Sequence, residues 1–154
     1  MWSAETVFVC ALGLLGRSPA QFPPVQFVDK APPYVSPLAQ AYIQKGDVRI
    51  VLITSTSAFD RARRSRYQCA DVDAIREIAG VLAHEEWHVL HGVDEASAYD
   101  AQLTALLFAG AEQDSPLYHK VMRAKQAVTA ASKRTSGAGV LASVAPGSAR
   151  DHPP

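Results

Sequence analysis

A chain of 154 residues that is 48% apolar and 19% charged can enclose one hydrophobic core, and its make-up is that of an ordinary globular domain. Lys and Arg together number 15, as do Asp and Glu, so the formal net charge is zero. That balance removes any general pull toward polyanions, and neither a nucleic-acid partner nor stable membrane association is expected.

The chain opens on an apolar run, Val7 to Leu15, that is too short to cross a bilayer as a helix. Ser18-Pro19-Ala20 then places small residues where a signal peptidase would cut after Ala20. Residues 1–20 therefore have the layout of a secretory signal peptide, although no Lys or Arg precedes the run. Read by itself, the same run is an ordinary buried strand. Export (secreted or periplasmic) is the expectation and a cytoplasmic location the alternative. Cleavage would remove Cys10 and leave Cys69 as a lone, idle or buried thiol.

Residues 21–133 carry the candidate domain. Phe22 to Pro37 is rich in proline, with a strand expected over Val25–Val28 and no regular structure around Pro32, Pro33 and Pro37. Ala41–Gln44 and Val48–Thr54 flank Lys45-Gly46-Asp47, which predicts a hairpin. Both faces of its second run are largely apolar, as in a strand lying between other elements. A helix capped by Thr56 or Ser57 is expected to reach about Gln68, and its Arg61, Arg63, Arg64 and Arg66 read as a solvated face.

Asp71 or Asp73 can cap the next helix, where Ile75, Ile78, Ala79 and Leu82 recur at helical spacing. It is expected to continue to His91 and stop at Gly92. Asp94 caps a third helix, with Tyr99, Leu103, Leu106 and Leu107 on one side, closing at Gly110. Ser115-Pro116 opens a fourth, whose apolar face is Leu117, Val121, Ala124 and Val128. Beyond Ser132 the chain is mostly Ser, Gly, Ala and Pro, and residues 134–154 read as a disordered tail.

Chemistry concentrates at His84-Glu85-Glu86-Trp87-His88. Residues four apart share one helix face, so His84 and His88 present two imidazoles to one point, as Zn²⁺ requires of its first two ligands. Glu85 stands one helical step aside, where it can act as general base on a zinc-activated water. Glu86 lies further round the helix, and Trp87 reads as a packing residue. For a third ligand, Glu95 in the first turn of the next helix is preferred, because Asp94 suits the cap. Asp94 remains the runner-up, and His91 is placed as an outer or substrate-side group. Glu95, Tyr99 and Gln102 share one face of their helix. His91, Tyr99, Tyr118 and His119 are candidates for stabilising an oxyanion.

With these residues in view, the chain resembles the zincin metallopeptidases, specifically gluzincins, in which HExxH is followed by a Glu on the next helix. The stretch from His84 through Gln102 and Leu103 also looks like small bacterial proteins classed as metallopeptidases. The resemblance implies an α+β, zincin-like domain: a short sheet with a hairpin, then an active-site helix, a glutamate helix and a C-terminal helix. It implies His84, His88 and Glu95 as Zn²⁺ ligands, Glu85 as catalytic base, and a peptide or protein substrate. It further implies that Val48–Thr54 is an edge strand to which extended substrate adds. The spacing differs from larger gluzincins, whose Glu helix follows a longer connection, and from metzincins, whose Gly stands where this chain has His91. The competing expectations are a zinc-binding structural or interaction module without turnover, and a helical binding protein with an accidental motif.

Overall fold

Ser3 starts the first helix by accepting the Thr6 amide on its hydroxyl at 3.1 Å, and α1 runs Ala4–Leu14. Val7, Ala11 and Leu12 fall on one stripe of it and are buried in the main core, which corrects the strand reading of this run. Cys10, on the same helix, is disulfide-bonded to Cys69, with their Cα atoms 5.6 Å apart. The reading of Cys69 as an idle thiol is thereby corrected. The pairing joins segments 59 residues apart, and only the folded chain brings them together.

This computed structural model describes residues 1–141, and the architecture is α+β. Three strands, β1 (Val25–Val28), β2 (Ala41–Gln44) and β3 (Arg49–Ile53), form a sheet in the order β1-β3-β2. β2 and β3 are the expected antiparallel hairpin, with Tyr42 opposite Val51. Gly46, at φ 93°, takes the left-handed turn between them that a side chain would strain. β1 joins the other edge of β3 in parallel, Phe27 opposite Leu52. β3 is thus the central strand, and Ile50, Val51, Leu52 and Ile53 are all buried. This corrects the edge-strand role expected of Val48–Thr54: both edges of β3 are hydrogen-bonded, so no substrate strand can add to it. β2 is the edge strand of the hairpin.

Helix α2 (Ser57–Arg64) ends short of Gln68. Its arginines engage neighbours: Arg61 pairs with Asp71, Arg64 with Asp60, and Arg63 Nε donates to the Trp2 carbonyl. Asp71 caps α3 (Val72–His91), accepting the Ala74 amide at 3.0 Å, and Gly92 follows its last turn at φ 109°. α4 (Glu95–Phe108) and α5 (Pro116–Leu141) complete the fold. Helix α5 therefore continues through part of the segment read as a tail, and residues 142–154 lie outside the described ones.

The main core gathers Leu12, Ile50, Leu52, Phe59, Ile75 and Leu82 from α1, the sheet, α2 and α3. A smaller cluster, Leu103, Leu106 and Val121, seals α4 to α5. Helices α3 and α4 meet closely because of Gly80. A Cβ there would lie 3.0 Å from Leu106 Cδ2 and 3.3 Å from Gln102 Cγ. The missing side chain lets Gln102 approach the helix that carries the two histidines. Among the described residues no helix is long and apolar enough to cross a membrane.

Candidate metal centre

The last turns of α3 and the first turn of α4 converge because Gly92 ends one helix and Asp94 begins the other. At this corner the Nε2 atoms of His84 and His88 lie 3.2 Å apart. Glu95 brings one carboxylate oxygen to 3.3 Å from His84 Nε2 and the other to 3.1 Å from His88 Nε2. Four donors held tetrahedrally at about 2.0 Å from an ion stand roughly 3.3 Å from one another. The three residues could therefore hold a metal ion.

The hydrogen bonds behind the imidazoles decide which ring atoms face inward. His88 Nδ1 donates to the Gly92 carbonyl at 2.6 Å, and His84 Nδ1 donates to Gln102 Oε1 at 3.1 Å. In neutral rings both Nε2 atoms are then lone-pair bearers aimed at the same carboxylate. Burial also lowers the pKa of His84, opposing the pull of Glu95 and favouring the neutral ring. Three facing acceptors without a proton between them repel, and a cation among them removes the repulsion. The donor set of two nitrogens and a carboxylate thus fits a divalent metal ion, open to solvent on the side of the half-exposed Glu95.

Glu85 faces the adjoining groove, a cavity of about 580 Å³ that also includes His84, Glu95, Tyr99 and Gln102. Burial raises its pKa to about 7; His88 pulls it down and Glu95 pushes it up. Glu86 points elsewhere, its two oxygens taken by Arg17 at 2.6 and 3.0 Å. That bidentate pair ties the segment after α1 to the metal-site helix.

The other sequence-predicted residues separate clearly. Asp94 occupies the N-cap position but accepts the Ser97 hydroxyl at 2.5 Å, and it lies outside the three-residue cluster. His91 stacks on Trp87 with ring centroids 4.9 Å apart, and its Nδ1 donates to the Trp87 carbonyl. Of the four candidates for an oxyanion partner, only Tyr99 lines the groove, its ring edge-on to His84 at 4.6 Å. Burial, then Glu95 and Glu85, raise its pKa and keep the phenol protonated. Tyr118 packs in the α4–α5 cluster, and His119 is exposed.

Sequence reasoning placed Gln102 beside Glu95 and Tyr99 without assigning it a role. The readable signal is an amide seven residues, about two helical turns, beyond Glu95; its burial is a finding of the structure. It missed the part played by Gln40 and Ala41 at the opposite wall, where the start of β2 borders the groove. No family model, curated protein or solved structure matches this chain.

Proposed function

We propose that this protein is a zinc-dependent metallopeptidase in which His84, His88 and Glu95 hold Zn²⁺ and Glu85 is the general base. The observation that carries this reading is the convergence of the three donors beside the half-buried carboxylate of Glu85, in a groove bordered by an edge strand. Zn²⁺, when bound, polarises a carbonyl and activates water for attack on it. Glu85, next to His84 but outside the donor set, is placed to accept a proton and return it to the leaving amine. Tyr99 supplies a phenol O–H toward the same groove, suited to charge developing on a carbonyl oxygen. Among the described residues only three donors converge, which leaves room for substrate and favours turnover over a closed structural site.

The substrate is an extended peptide. β2 is hydrogen-bonded to β3 along one edge only, and its start forms one wall of the groove, so a peptide can add there as a further strand. An oxidising compartment suits the Cys10–Cys69 disulfide and supports export. Cleavage after Ala20, however, would remove half of that disulfide and Val7, Ala11 and Leu12 from the core.

The test is metal content by mass spectrometry together with hydrolysis of a quenched peptide library. Wild type is expected to bind one zinc per chain and cleave peptides. His88→Ala should lose the metal, while Glu85→Gln should keep it and lose hydrolysis. A wild type that takes up no zinc, or a zinc-loaded Glu85→Gln as active as wild type, overturns the reading.

A further inference from the structure

The groove at the metal centre does not end on an apolar wall. It adjoins a second cavity of about 680 Å³, and the two share Glu77, Leu117 and Lys120. The apolar part of the groove's lining comes from Val81 on α3 and Leu117, Val121 and Ala124 on α5. At the junction Glu77 accepts Lys120 Nζ at 2.7 Å and Gln40 Nε2 at 2.9 Å, so one carboxylate links both walls to α3. Beyond it the lining becomes charged. Four cations, Arg61, Arg76, Lys120 and Arg123, stand against the carboxylates Asp73, Glu77 and Glu112.

These charges are not equally committed. Arg61 is held by both oxygens of Asp71, and Arg76 spends Nε on the Ala109 carbonyl and Nη1 on Asp73. Arg123 is exposed and enters no ion pair among the described residues. Lys120, with two further N–H groups, is 57% exposed along its side chain. With Asp71 counted beside Arg61 the charges balance, and what the second cavity offers is uncommitted N–H donors, on Arg123 and Lys120, next to a groove whose lining mixes apolar and polar side chains.

Resting on the peptidase reading, we propose that this charged stretch is a substrate subsite that holds a carboxylate, with Arg123 and Lys120 as its specificity-determining residues. The helix sets the spacing. Glu77 and Arg76 precede Glu85 by eight and nine positions on α3, which is about 12–14 Å at 1.5 Å per residue. An extended peptide covers that distance in about four residues. The preferred substrate has apolar residues next to the cleaved bond and a carboxylate about four to five residues away. An Asp or Glu side chain and a free C-terminus offer the same group.

The test uses the full chain loaded with zinc and fluorescein-labelled peptides built on a central Leu-Leu. One pair carries Glu or Gln four and five residues to either side. A second pair ends at that distance in a free carboxylate or an amide. Binding is read by anisotropy and cleavage by mass spectrometry. The carboxylate peptides are expected to bind about tenfold tighter than their neutral partners, less so at high salt. Arg123→Glu should erase that advantage, and Lys120→Met should reduce it. Preference in the first pair assigns the site to an acidic side chain, and preference in the second alone assigns it to a C-terminus. Equal binding of charged and neutral peptides, or a preference that survives in both variants, overturns the subsite. Carboxylate preference without cleavage of any peptide leaves the subsite standing and removes the peptidase reading. Cleavage without preference does the reverse.

Discussion

Gln102 Oε1 accepts the Nδ1 proton of His84 at 3.1 Å from a position on α4 that is itself buried. The amide thus holds one tautomer of the imidazole and aims its Nε2 at His88 and Glu95. Outer partners of this kind orient the ligands that touch a metal.

In the proposed zinc site, replacing Gln102 should therefore weaken metal binding. Gln102→Leu keeps the side chain's approximate size but leaves His84 Nδ1 unpaired, and zinc affinity should fall by about tenfold to a hundredfold. Gln102→Glu retains an acceptor and should stay within a few-fold of wild type. Competition against a chromophoric zinc chelator reads both. Equal losses in the two variants would mean that Gln102 acts through packing alone.

The third ligand can be assigned by comparing neighbours. Glu95→Ala should lower zinc affinity by more than the loss of an outer partner does. Asp94→Ala removes only the Ser97 contact and should leave affinity near wild type. His91→Ala should do the same, because that ring stacks on Trp87. A larger loss in Asp94→Ala than in Glu95→Ala, measured in the same titration, would reverse the assignment.

The Cys10–Cys69 bond closes a loop of 59 residues, and a cross-link of that span stabilises by roughly 4 kcal/mol in the chain-entropy account. Reduction, or Cys69→Ser, should lower the urea midpoint accordingly. Cys10→Ser adds the cost of a hydroxyl at a buried position, so it should be the less stable of the two variants. Midpoints unchanged by reductant would show that the bond does not form in solution.

Asp71 gives stability an acid limit. It caps α3 and pairs with Arg61, and that guanidinium is the main reason its pKa lies below the ordinary aspartate range. With the folded-state value depressed, the contribution is fully present above the unfolded value of about 3.9. It is lost as pH falls through the folded-state value. Asp71→Asn keeps an acceptor for the Ala74 amide and should lose only the ion pair. Asp71→Ala should cost about 1 kcal/mol more through the cap. In urea titrations across pH, wild type and Asp71→Asn should begin to converge as pH falls below about 4 and coincide once it lies below the folded-state value. A constant gap between them would place the ion pair's contribution elsewhere.

What the sequence by itself determined about this protein lies within single elements. Helical spacing put His84 and His88 on one face, an aspartate at 71 or 73 and Gly92 bounded their helix, and turn chemistry at Gly46 made the hairpin. These are short-range matters of backbone geometry and side-chain reach, and they need no partner from elsewhere in the chain. Tertiary structure decided the rest. The apolar run Val7–Leu15 satisfies a buried strand or a helix equally on composition, and packing against α2 and α3 selected the helix. The Cys10–Cys69 bond depends on that choice. The place of β3 between β1 and β2 depends on which strands pair, which alternation along one strand does not encode. The contact of Gln102 with His84 follows from how closely α4 lies on α3, and that distance is set by the absent side chain of Gly80.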